Sequence, residues 1–413
     1  MTRRFKRWTA GGYILLALAL GCLPARPPST EPLLPVIADD LDPASLRGAI
    51  RHSVAFLQQL PPGHLVGMEP RRVTAQQILA ALIMFEQILL KHGHCARCFA
   101  REIETRFDVV PSSADAVVSD ILFTGYYQPV IEGNLVPTPE YRYPIYATPP
   151  DLIIAEQVTV QPALSREKIV GRVDGEQFLP YYTRREIDEL GALRGRGLEI
   201  AWVKDPIDLF FLHIQGSGIV NLPSGERLHI GYAAQNGWPY RSIGRLLIDT
   251  GKIAQEEMSM QRLRRYLTEY PDERSGIFAY NESYVFFRVN SEGPLGSLEV
   301  PVTAGRSIAT DRRLFPRGAL AFIRTEIPVI GPGGELEGWH PIARFVLNQD
   351  TGGAIRGFQR ADLFFGTGKK AAELAGYMNR RGKLFFLFLK EAPAGKLSAP
   401  GAEKNNVPKP YAR

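Results

Sequence analysis

The sequence predicts a mainly β fold with a small helical module near the N-terminus. The chain of 413 residues contains 39 glycines and 32 prolines, which favour many turns and short strands over long helices. From residue 121 to residue 390 the apolar runs are short and end at glycine or other turn residues, as buried strands do. Apolar residues recur at helical spacing chiefly between residues 43 and 108.

The composition is that of a globular protein long enough for two or three domains. Hydrophobic residues make up 45% of the chain and charged residues 22%. The formal charge of +6 suits an anionic polymer or surface, but it is spread along the chain without a dense Lys/Arg run. We therefore expect no nucleic-acid partner, and no cofactor is predicted.

Residues 1–22 have the three parts of a bacterial export leader. Four basic residues precede an apolar core at residues 13–20, which is too short for a stable membrane-spanning helix. The segment resembles a lipoprotein signal, in which Cys22 is lipidated and anchors the chain to a membrane, although Ala19 stands where leucine is usual. Secretion with cleavage nearby and an uncleaved anchor are the alternatives. The proline-rich residues 23–42 are predicted to be a linker.

Residues 43–110 are predicted to form the helical module. A first run of apolar residues at helical spacing stops at Pro61-Pro62. Thr74 precedes a second run at residues 75–90, and Gln77 stands where it can complete a capping box with Thr74. We expect this module to pack on the main body and to have a structural role.

Two histidines and two cysteines lie close together between His92 and Cys98. Such side chains suit zinc, but a second pair at a distance is absent from the sequence. A local disulfide between Cys95 and Cys98 is expected in an oxidising compartment, and free thiols in a reducing one. We predict no metal site here, and the role of the cluster stays open.

Residues 121–134 are predicted to contain a strand followed by an exposed pair of aromatic residues. The strand Ile121–Phe123 is followed by Tyr126, Tyr127 and Gln128. Paired aromatic rings beside an amide can bind sugar rings through their flat faces and polar edges. The alternative is that the tyrosines belong to the core.

Two later turns carry amides, small residues and a tryptophan. Residues 206–219 are predicted to form an apolar strand, in which His213 is a buried core residue because no acid or nucleophile is placed beside it. Asn236-Gly237 forms the second tight turn. The candidate substrate-binding residues in these turns are Gln215, Gly216, Ser217, Gly218, Asn236, Gly237 and Trp238.

Helical signals also occur among these strands. Thr183 and Glu186 form a capping box ahead of a helix at residues 187–193. Residues 242–270 show helical periodicity with basic residues on one side, which indicates a solvated face.

The main candidates for chemistry lie in residues 346–368, which hold Asp350 and Asp362 at the ends of short apolar runs. A carboxyl at a strand end beside aromatic surface is partly desolvated, and desolvation raises the pKa of a carboxyl toward the range of a general acid. The alternative is that both aspartates only cap turns.

The C-terminal part is predicted to contain one more helix and one more strand. The helix covers residues 370–378 with Thr367 as its N-cap, and the closing strand is Leu384–Leu389. Residues 392–413 lack periodicity and are predicted to be a disordered tail.

Two groups of short segments, in order along the chain, resemble the membrane-bound lytic murein transglycosylase A family. The segments of the first group resemble the body of that family and are Phe123–Tyr127, Gln215–Gly218 and Tyr232–Gly237. Those of the second group resemble its C-terminal three-aspartate (3D) domain and contain Asp311, Asp350 and Asp362. The resemblance extends from about residue 120 to residue 390.

The resemblance implies a double-psi β-barrel interrupted by a second β-rich domain, with a glycan-binding groove between them. In this sequence the barrel would comprise residues 111–135 and 296–391, with the 3D domain at 298–391. The inserted β domain would comprise residues 136–295.

The resemblance also implies an activity, a location and roles for residues. Such a lytic transglycosylase cleaves the β-1,4 bond between N-acetylmuramic acid and N-acetylglucosamine in peptidoglycan and forms 1,6-anhydromuramoyl ends. It would act as a monomer on glycan strands in the periplasm, anchored to the outer membrane. Asp362 would be the catalytic acid and base, with Asp350 and Asp311 in support. The tyrosine pair at 126–127 and Gln128 would join the residues lining the groove.

Other functional classes require particular residues, and the sequence can be compared with each requirement. A non-catalytic peptidoglycan-binding protein with the same groove is the main alternative. An aspartic protease needs two Asp-Thr-Gly loops, and the sequence has one, at Asp350. Gly366–Lys369 resembles the end of a phosphate loop, but Leu363 and Lys370 occupy the places of the required glycine and hydroxyl residue.

Overall fold

The computed structural model describes residues 39–113, 120–156 and 168–390 of the chain. The predicted leader with Cys22, most of the linker at 23–42 and the predicted tail at 392–413 lie outside the described residues. Among the residues described, no helix combines the length and the apolar character needed to cross a membrane.

Nine α-helices occur in the described part of the chain, and polar side chains fix several of their starts. Asp42 caps the first helix by accepting from the Ser45 amide, and Thr74 with Gln77 forms the expected capping box at the second. The helices are α1 (Pro43–Gln58), α2 (Ala75–His92), α3 (Ala96–Arg106), α4 (Arg184–Asp188), α5 (Pro206–Gln215), α6 (Ile243–Asp249), α7 (Met260–Glu269), α8 (Pro271–Tyr280) and α9 (Lys369–Tyr377).

The strands are mostly short, as the many glycines and prolines predict. They are β1 (Leu65–Gly67), β2 (Val73–Thr74), β3 (Phe107–Pro111), β4 (Ile121–Gln128), β5 (Val130–Asn134), β6 (Tyr143–Tyr146), β7 (Ile153–Glu156), β8 (Lys168–Asp174), β9 (Gln177–Pro180), β10 (Glu199–Val203), β11 (Ser217–Asn221), β12 (Arg227–Gln235), β13 (Val285–Asn290), β14 (Ser307–Ala309), β15 (Leu320–Ile330), β16 (Leu336–Asp350), β17 (Arg360–Thr367) and β18 (Asn379–Leu389).

Six of these strands close into a barrel in the order β15-β16-β14-β17-β4-β18, because β18 also pairs with β15. The β14–β16 and β17–β4 pairs are parallel, and the other barrel pairs are antiparallel. Buried side chains such as Phe123, Ile323 and Leu363 come from the barrel strands. The closed barrel removes the sheet edges that would otherwise be exposed.

A second sheet of six strands has the order β13-β12-β11-β5-β10-β6. Only Pro129 separates β4 of the barrel from β5 of the second sheet, so the chain passes directly from one sheet to the other. A smaller sheet, β7-β8-β9, accompanies it. The predicted fold class, a double-psi β-barrel interrupted by a second β-rich part and preceded by a helical module, is confirmed.

The helical module packs on the barrel through aromatic rings and through the chain that leads into α1. Phe85 of α2 and Phe99 of α3 contact Phe345 of β16, with ring centroids 4.8 and 5.9 Å away. Arg306 is fully buried, and its Nη1 lies 2.6 Å from a carboxylate oxygen of Asp39. A buried arginine needs such a partner because an unpaired buried charge is costly.

Three local predictions are wrong, and each has a physical reason. Residues 206–215 form helix α5 and not a strand: Asp205 caps it and Pro206 occupies the first helical position, a start signal that outweighs the apolar run. The helix after Thr183 ends at Asp188 and does not extend to residue 193. Helix α9 starts after Gly368, so Thr367 is the last residue of β17 and not a cap.

Candidate active site

Asp362 lies on β17, where it is opposite Thr124 of the parallel strand β4. The Thr124 hydroxyl donates a short hydrogen bond to Oδ1 of Asp362. Arg360 Nε donates to the same oxygen at 3.0 Å, and Arg360 Nη2 lies 3.3 Å from Oδ2. Arg360 and Asp362 are two residues apart on one strand, so their side chains leave the same face of the sheet.

These contacts correct one expectation from the sequence. The surroundings of Asp362 are polar, not apolar, because a hydroxyl and a guanidinium hold its carboxyl. The side chain remains 13% exposed, so the carboxyl is fixed in orientation without being sealed from a ligand. Charge-assisted hydrogen bonds from a guanidinium also stabilise negative charge on a carboxyl.

Asp350 ends β16 and is more enclosed than Asp362. Its Oδ1 accepts hydrogen bonds from the amides of Ser297 and Thr351, at 2.9 and 2.8 Å. Burial raises the pKa of the Asp350 carboxyl, although these amides act in the opposite direction. Asp350 therefore holds a turn, as one of the two sequence alternatives predicts, and burial makes its carboxyl harder to ionise.

The charges of Asp350 and Asp362 both act on the hydroxyl of Tyr126. Its ring packs against Phe364 with centroids 5.1 Å apart. Burial raises the pKa of Tyr126 well above its ordinary value, and the charges of Asp350 and Asp362 raise it further. Both carboxyl groups are therefore close to one phenol, and the fold brings the ends of β16 and β17 to a common site.

Asp311 is engaged in a different way. Its side chain is fully buried and accepts hydrogen bonds from the Arg313 guanidinium, at 2.7 and 3.0 Å, and from the Gly357 amide at 2.9 Å. Burial opposes ionisation, but these donors outweigh it and lower the pKa of Asp311 to about 2. An enclosed carboxylate that is ionised near neutral pH can fix two loops but cannot donate a proton at that pH.

Tyr240, in the loop after β12, reaches this site from the second sheet. Burial raises the pKa of its hydroxyl, and the charges of Arg360 and Asp362 also act on it. Tyr240 therefore lies within electrostatic range of the Asp362 carboxyl. Sequence reasoning missed Tyr240, Arg360 and Thr124; the two-residue spacing of Arg360 and Asp362 in a strand is the signal that could have revealed one of them.

The aromatic pair near the end of β4 belongs mainly to the core. Tyr127 is 3% exposed and packs against Ala371 and Ala375 of α9. Gln128 is 1% exposed, and its Oε1 accepts from the Thr367 hydroxyl at 2.9 Å. The geometry favours the core alternative for this pair over sugar stacking.

The turn at residues 215–218 connects α5 to β11. Gln215 Oε1 accepts from the Tyr127 amide at 3.0 Å, so this side chain ties α5 to β4. Gly216 has a left-handed backbone (φ 76°) that ends α5. Ser217 is half-buried, and Gly218 is buried where a Cβ atom would lie 2.5 Å from a methyl group of Leu212.

The turn at residues 236–238 is also tied to the backbone. Asn236 is fully buried, and its amide nitrogen donates to the carbonyls of Tyr182 and Glu282 while its oxygen accepts from the Tyr284 amide. Asn236 is therefore not available to line a groove, contrary to expectation. Gly237 is exposed and has φ 87°. Trp238 Nε1 donates to the Tyr181 carbonyl at 2.7 Å, and its ring stays half-buried.

The cysteines of the helical module form a disulfide. Cys95 and Cys98 are joined at the start of α3, which is the arrangement predicted for an oxidising compartment. Within the described ranges no group of three or more His, Cys, Asp or Glu residues is arranged to hold a metal ion.

Comparisons with known proteins match the chain over most of its described length. A family model described as the MltA specific insert domain matches residues 122–288, and a 3D domain model matches residues 306–388. The membrane-bound lytic murein transglycosylase A of Escherichia coli (strain K12) is 34% identical over 277 residues, which are 66% of this chain and 67% of that protein.

Solved structures are similar as well. A membrane-bound lytic murein transglycosylase from Agrobacterium tumefaciens has a TM-score of 0.71 and 34% identity, covering 84% of this chain and 93% of the other. E. coli MltA with bound chitohexaose has a TM-score of 0.57 and 28% identity, covering 77% of this chain and 89% of the other.

Proposed function

The chain belongs to the membrane-bound lytic murein transglycosylase A family of peptidoglycan lyases, and we propose that Asp362 alone acts first as acid and then as base in its reaction. The bond cleaved is the β-1,4 bond between N-acetylmuramic acid and N-acetylglucosamine. The product is a glycan strand that ends in a 1,6-anhydromuramoyl residue.

One observation carries this proposal. Asp362 is a partly exposed carboxyl on a barrel strand, oriented by Thr124 and Arg360. The other two aspartates of the 3D domain are engaged by backbone amides or by Arg313. Among these three carboxyl groups, Asp362 is therefore the best suited to meet a glycosidic oxygen.

The proposed chemistry needs neither water nor a second carboxylate. Protonated Asp362 donates its proton to the glycosidic oxygen, the bond from that oxygen to the muramic C1 breaks, and positive charge develops at C1. The ionised Asp362 then accepts the proton of the C6 hydroxyl of the same sugar, and the C6 oxygen bonds to C1. Asp362 ends protonated again, and the attacking group is intramolecular, which lowers the entropic cost of the step.

The neighbours of Asp362 have supporting roles in this scheme. Arg360 stabilises the carboxylate that exists after proton donation. Thr124 fixes the position of Oδ1, and Asp350 keeps the adjoining turn in place through its two amide contacts. Tyr240 supplies an aromatic surface from the second sheet against which a sugar ring can pack.

We propose a location in the cell envelope, with the chain anchored to a membrane by residues before the described part. Membrane-bound relatives support this location, and the predicted lipidation of Cys22 supplies one means of anchoring. The E. coli MltA structure with bound chitohexaose supports a glycan-binding role for the corresponding site here.

Product analysis tests the activity directly. Purified sacculi are incubated with the protein and the soluble fragments are analysed by mass spectrometry. Anhydromuropeptides, which are 18 Da lighter than the hydrolysed products by simple loss of water, are the expected result. Reducing ends would identify a hydrolase, and intact glycan that retains the protein on sedimentation would identify the non-catalytic binding protein.

A further inference from the structure

The disulfide between Cys95 and Cys98 lies at the start of α3, outside the candidate active site. Cys95 is the N-cap of the helix and Cys98 belongs to its first turn, so the bond links two positions of one helix start, three residues apart. A disulfide that closes so short a loop removes little conformational freedom from the unfolded chain. A gain in stability is therefore a weak reason for this pair of cysteines.

Helix α3 is held in place by contacts that do not pass through the sulfur atoms. Phe99 and Ile103 are its buried residues, with 7% and 0% of their surface exposed. The ring of Phe99 lies 5.7 Å from that of Phe85 and 5.9 Å from that of Phe345, measured between centroids. We therefore expect α3 to stay packed on the module and the barrel when the disulfide opens.

The sulfur of Cys95 already has a hydrogen-bond donor. Its Sγ accepts from the amide of Cys98 at 3.3 Å, which makes it the cap of α3. A thiolate is a stronger acceptor than a disulfide sulfur, and the N-terminus of a helix favours negative charge. The first turn of α3 contains no acidic residue, and Arg97 lies between the two cysteines. The surroundings of Cys95 therefore suit a thiolate.

The two cysteines differ in exposure. Cys98 is exposed, whereas Cys95 is half-buried. An incoming thiol therefore has better access to the sulfur of Cys98. In thiol–disulfide exchange, a sulfur leaves faster when the thiolate that it forms is stabilised. Access thus favours attack at Cys98, and the helix start favours departure of Cys95.

We propose that Cys95 and Cys98 form a thiol–disulfide exchange site that is reduced by a dithiol partner. A partner thiolate attacks Sγ of Cys98, the bond between the two sulfurs breaks, and its electron pair goes to Sγ of Cys95. The partner's second thiolate then attacks the partner's own sulfur in the mixed disulfide and releases Cys98. Two electrons pass from the dithiol to the pair, the dithiol becomes a disulfide, and its protons go to the cysteines or to solvent. This reaction is independent of the proposed lytic activity.

Reduction of the folded protein is the first test. The full chain is incubated with dithiothreitol at neutral pH without denaturant, free thiols are alkylated, and tryptic peptides are weighed by mass spectrometry. We expect complete reduction of the pair, with unchanged circular dichroism in the far and near ultraviolet. A pair that is reduced only in urea, or whose reduction unfolds the chain, would overturn the inference.

The site of attack can be read directly, because trypsin cleaves after Arg97 and places the two sulfurs on separate peptides, residues 92–97 and 98–101. Cys22 lies on a third peptide and does not interfere. Reduced glutathione is the probe: the reaction is stopped with acid soon after mixing, and free thiols are blocked before digestion. Glutathione should be found predominantly on Cys98. Equal labelling of both peptides, or labelling mainly of Cys95, contradicts the assigned roles.

Single variants test whether the helix start favours a thiolate at Cys95. Cys98→Ser leaves the Cys95 thiol at the N-cap, and Cys95→Ser leaves the Cys98 thiol with a hydroxyl as the cap. The rate of alkylation by iodoacetamide is measured against pH. The pH of half-maximal rate should be about one unit lower for Cys95 than for Cys98. Coinciding curves would refute the proposal.

The same measurement on reduced wild-type protein controls for any loss of structure in the variants, because the two peptides report each thiol separately. We expect the same order, with Cys95 alkylated at the lower pH. The reverse order would also refute the proposal. Since none of these readouts uses peptidoglycan, failure of the exchange site and failure of the proposed lytic function are distinguishable.

Discussion

The barrel site and the turns of the second sheet use the same kinds of polar residue for opposite purposes. At the barrel, the Asp362 carboxyl is held by two side chains and stays partly exposed. In the second sheet, Asn236 makes three hydrogen bonds to the backbone and is fully buried. Both residues lie in segments that resemble the family, but only the first has a polar group left for a ligand.

The difference shows that a polar residue in a turn is informative about function only after its hydrogen bonds have been accounted for. Buried amides and carboxylates nearly always form hydrogen bonds within the protein. These bonds can occupy every donor and acceptor of the side chain, which leaves none for a ligand. Asn236 supports the loop that carries Tyr240 to the active site. The second sheet thus contributes to the site indirectly, through the shape of a loop.

The largest expected effect concerns Asp362. Asp362→Asn should fold normally and lose activity on sacculi by on the order of 10³-fold, because a positioned acid and base contributes roughly that much. Release of anhydromuropeptides per unit time is the measurement. Asp249→Asn, at an exposed carboxylate of α6, is the matched control and should be fully active. Substantial activity in Asp362→Asn would mean that the barrel site, like the turns of the second sheet, uses its polar group for structure and not for chemistry.

Asn236→Ala should be the most destabilising of these changes. It leaves two buried carbonyls and one buried amide without their partner, which costs about 3 kcal/mol of the free energy of unfolding. Urea denaturation followed by fluorescence measures the effect. Asn221→Ala, which loses one hydrogen bond to Glu132, should cost less than about 1 kcal/mol. A neutral Asn236→Ala would mean that this turn is not structural.

A pH-dependent effect is expected at Asp311. Its pKa is about 2 in the folded chain and about 3.9 in an unfolded one. The stability that Asp311 contributes is therefore fully present above about pH 4 and is lost as the pH falls toward 2. Asp311→Asn should lower the free energy of unfolding by about 2 kcal/mol at pH 6, and the difference should disappear near pH 2. A constant difference across this range would contradict the assignment.

The smallest effect is expected at Arg360. Arg360→Gln should reduce the rate on sacculi about tenfold with little change in stability, because the carboxyl of Asp362 loses one of the two groups that orient it. Arg360→Lys should restore part of the rate, since it keeps the charge. If Arg360→Gln lost as much activity as Asp362→Asn, the barrel site would need a second group in direct contact with the substrate.

Local signals in the sequence predicted much of this protein correctly. The capping box at Thr74 and the helices of the module follow from residues three or four apart, and such short-range patterns act before tertiary contacts exist. The apolar run at residues 206–219 begins as a helix because Asp205 and Pro206 form a local helix start, a signal that is present in the sequence. The family resemblance correctly predicted the interrupted barrel.

By itself, the sequence determined the helical module, the mainly β class and the family, since these depend on patterns along the chain. Only the tertiary structure decided which polar groups remain available: Thr124, Tyr240 and Asp362 come together from distant strands and loops. Whether a carboxyl faces an amide, a guanidinium or open space is set by long-range pairing of strands. A linear pattern does not contain that information, because the partners are more than a hundred residues apart.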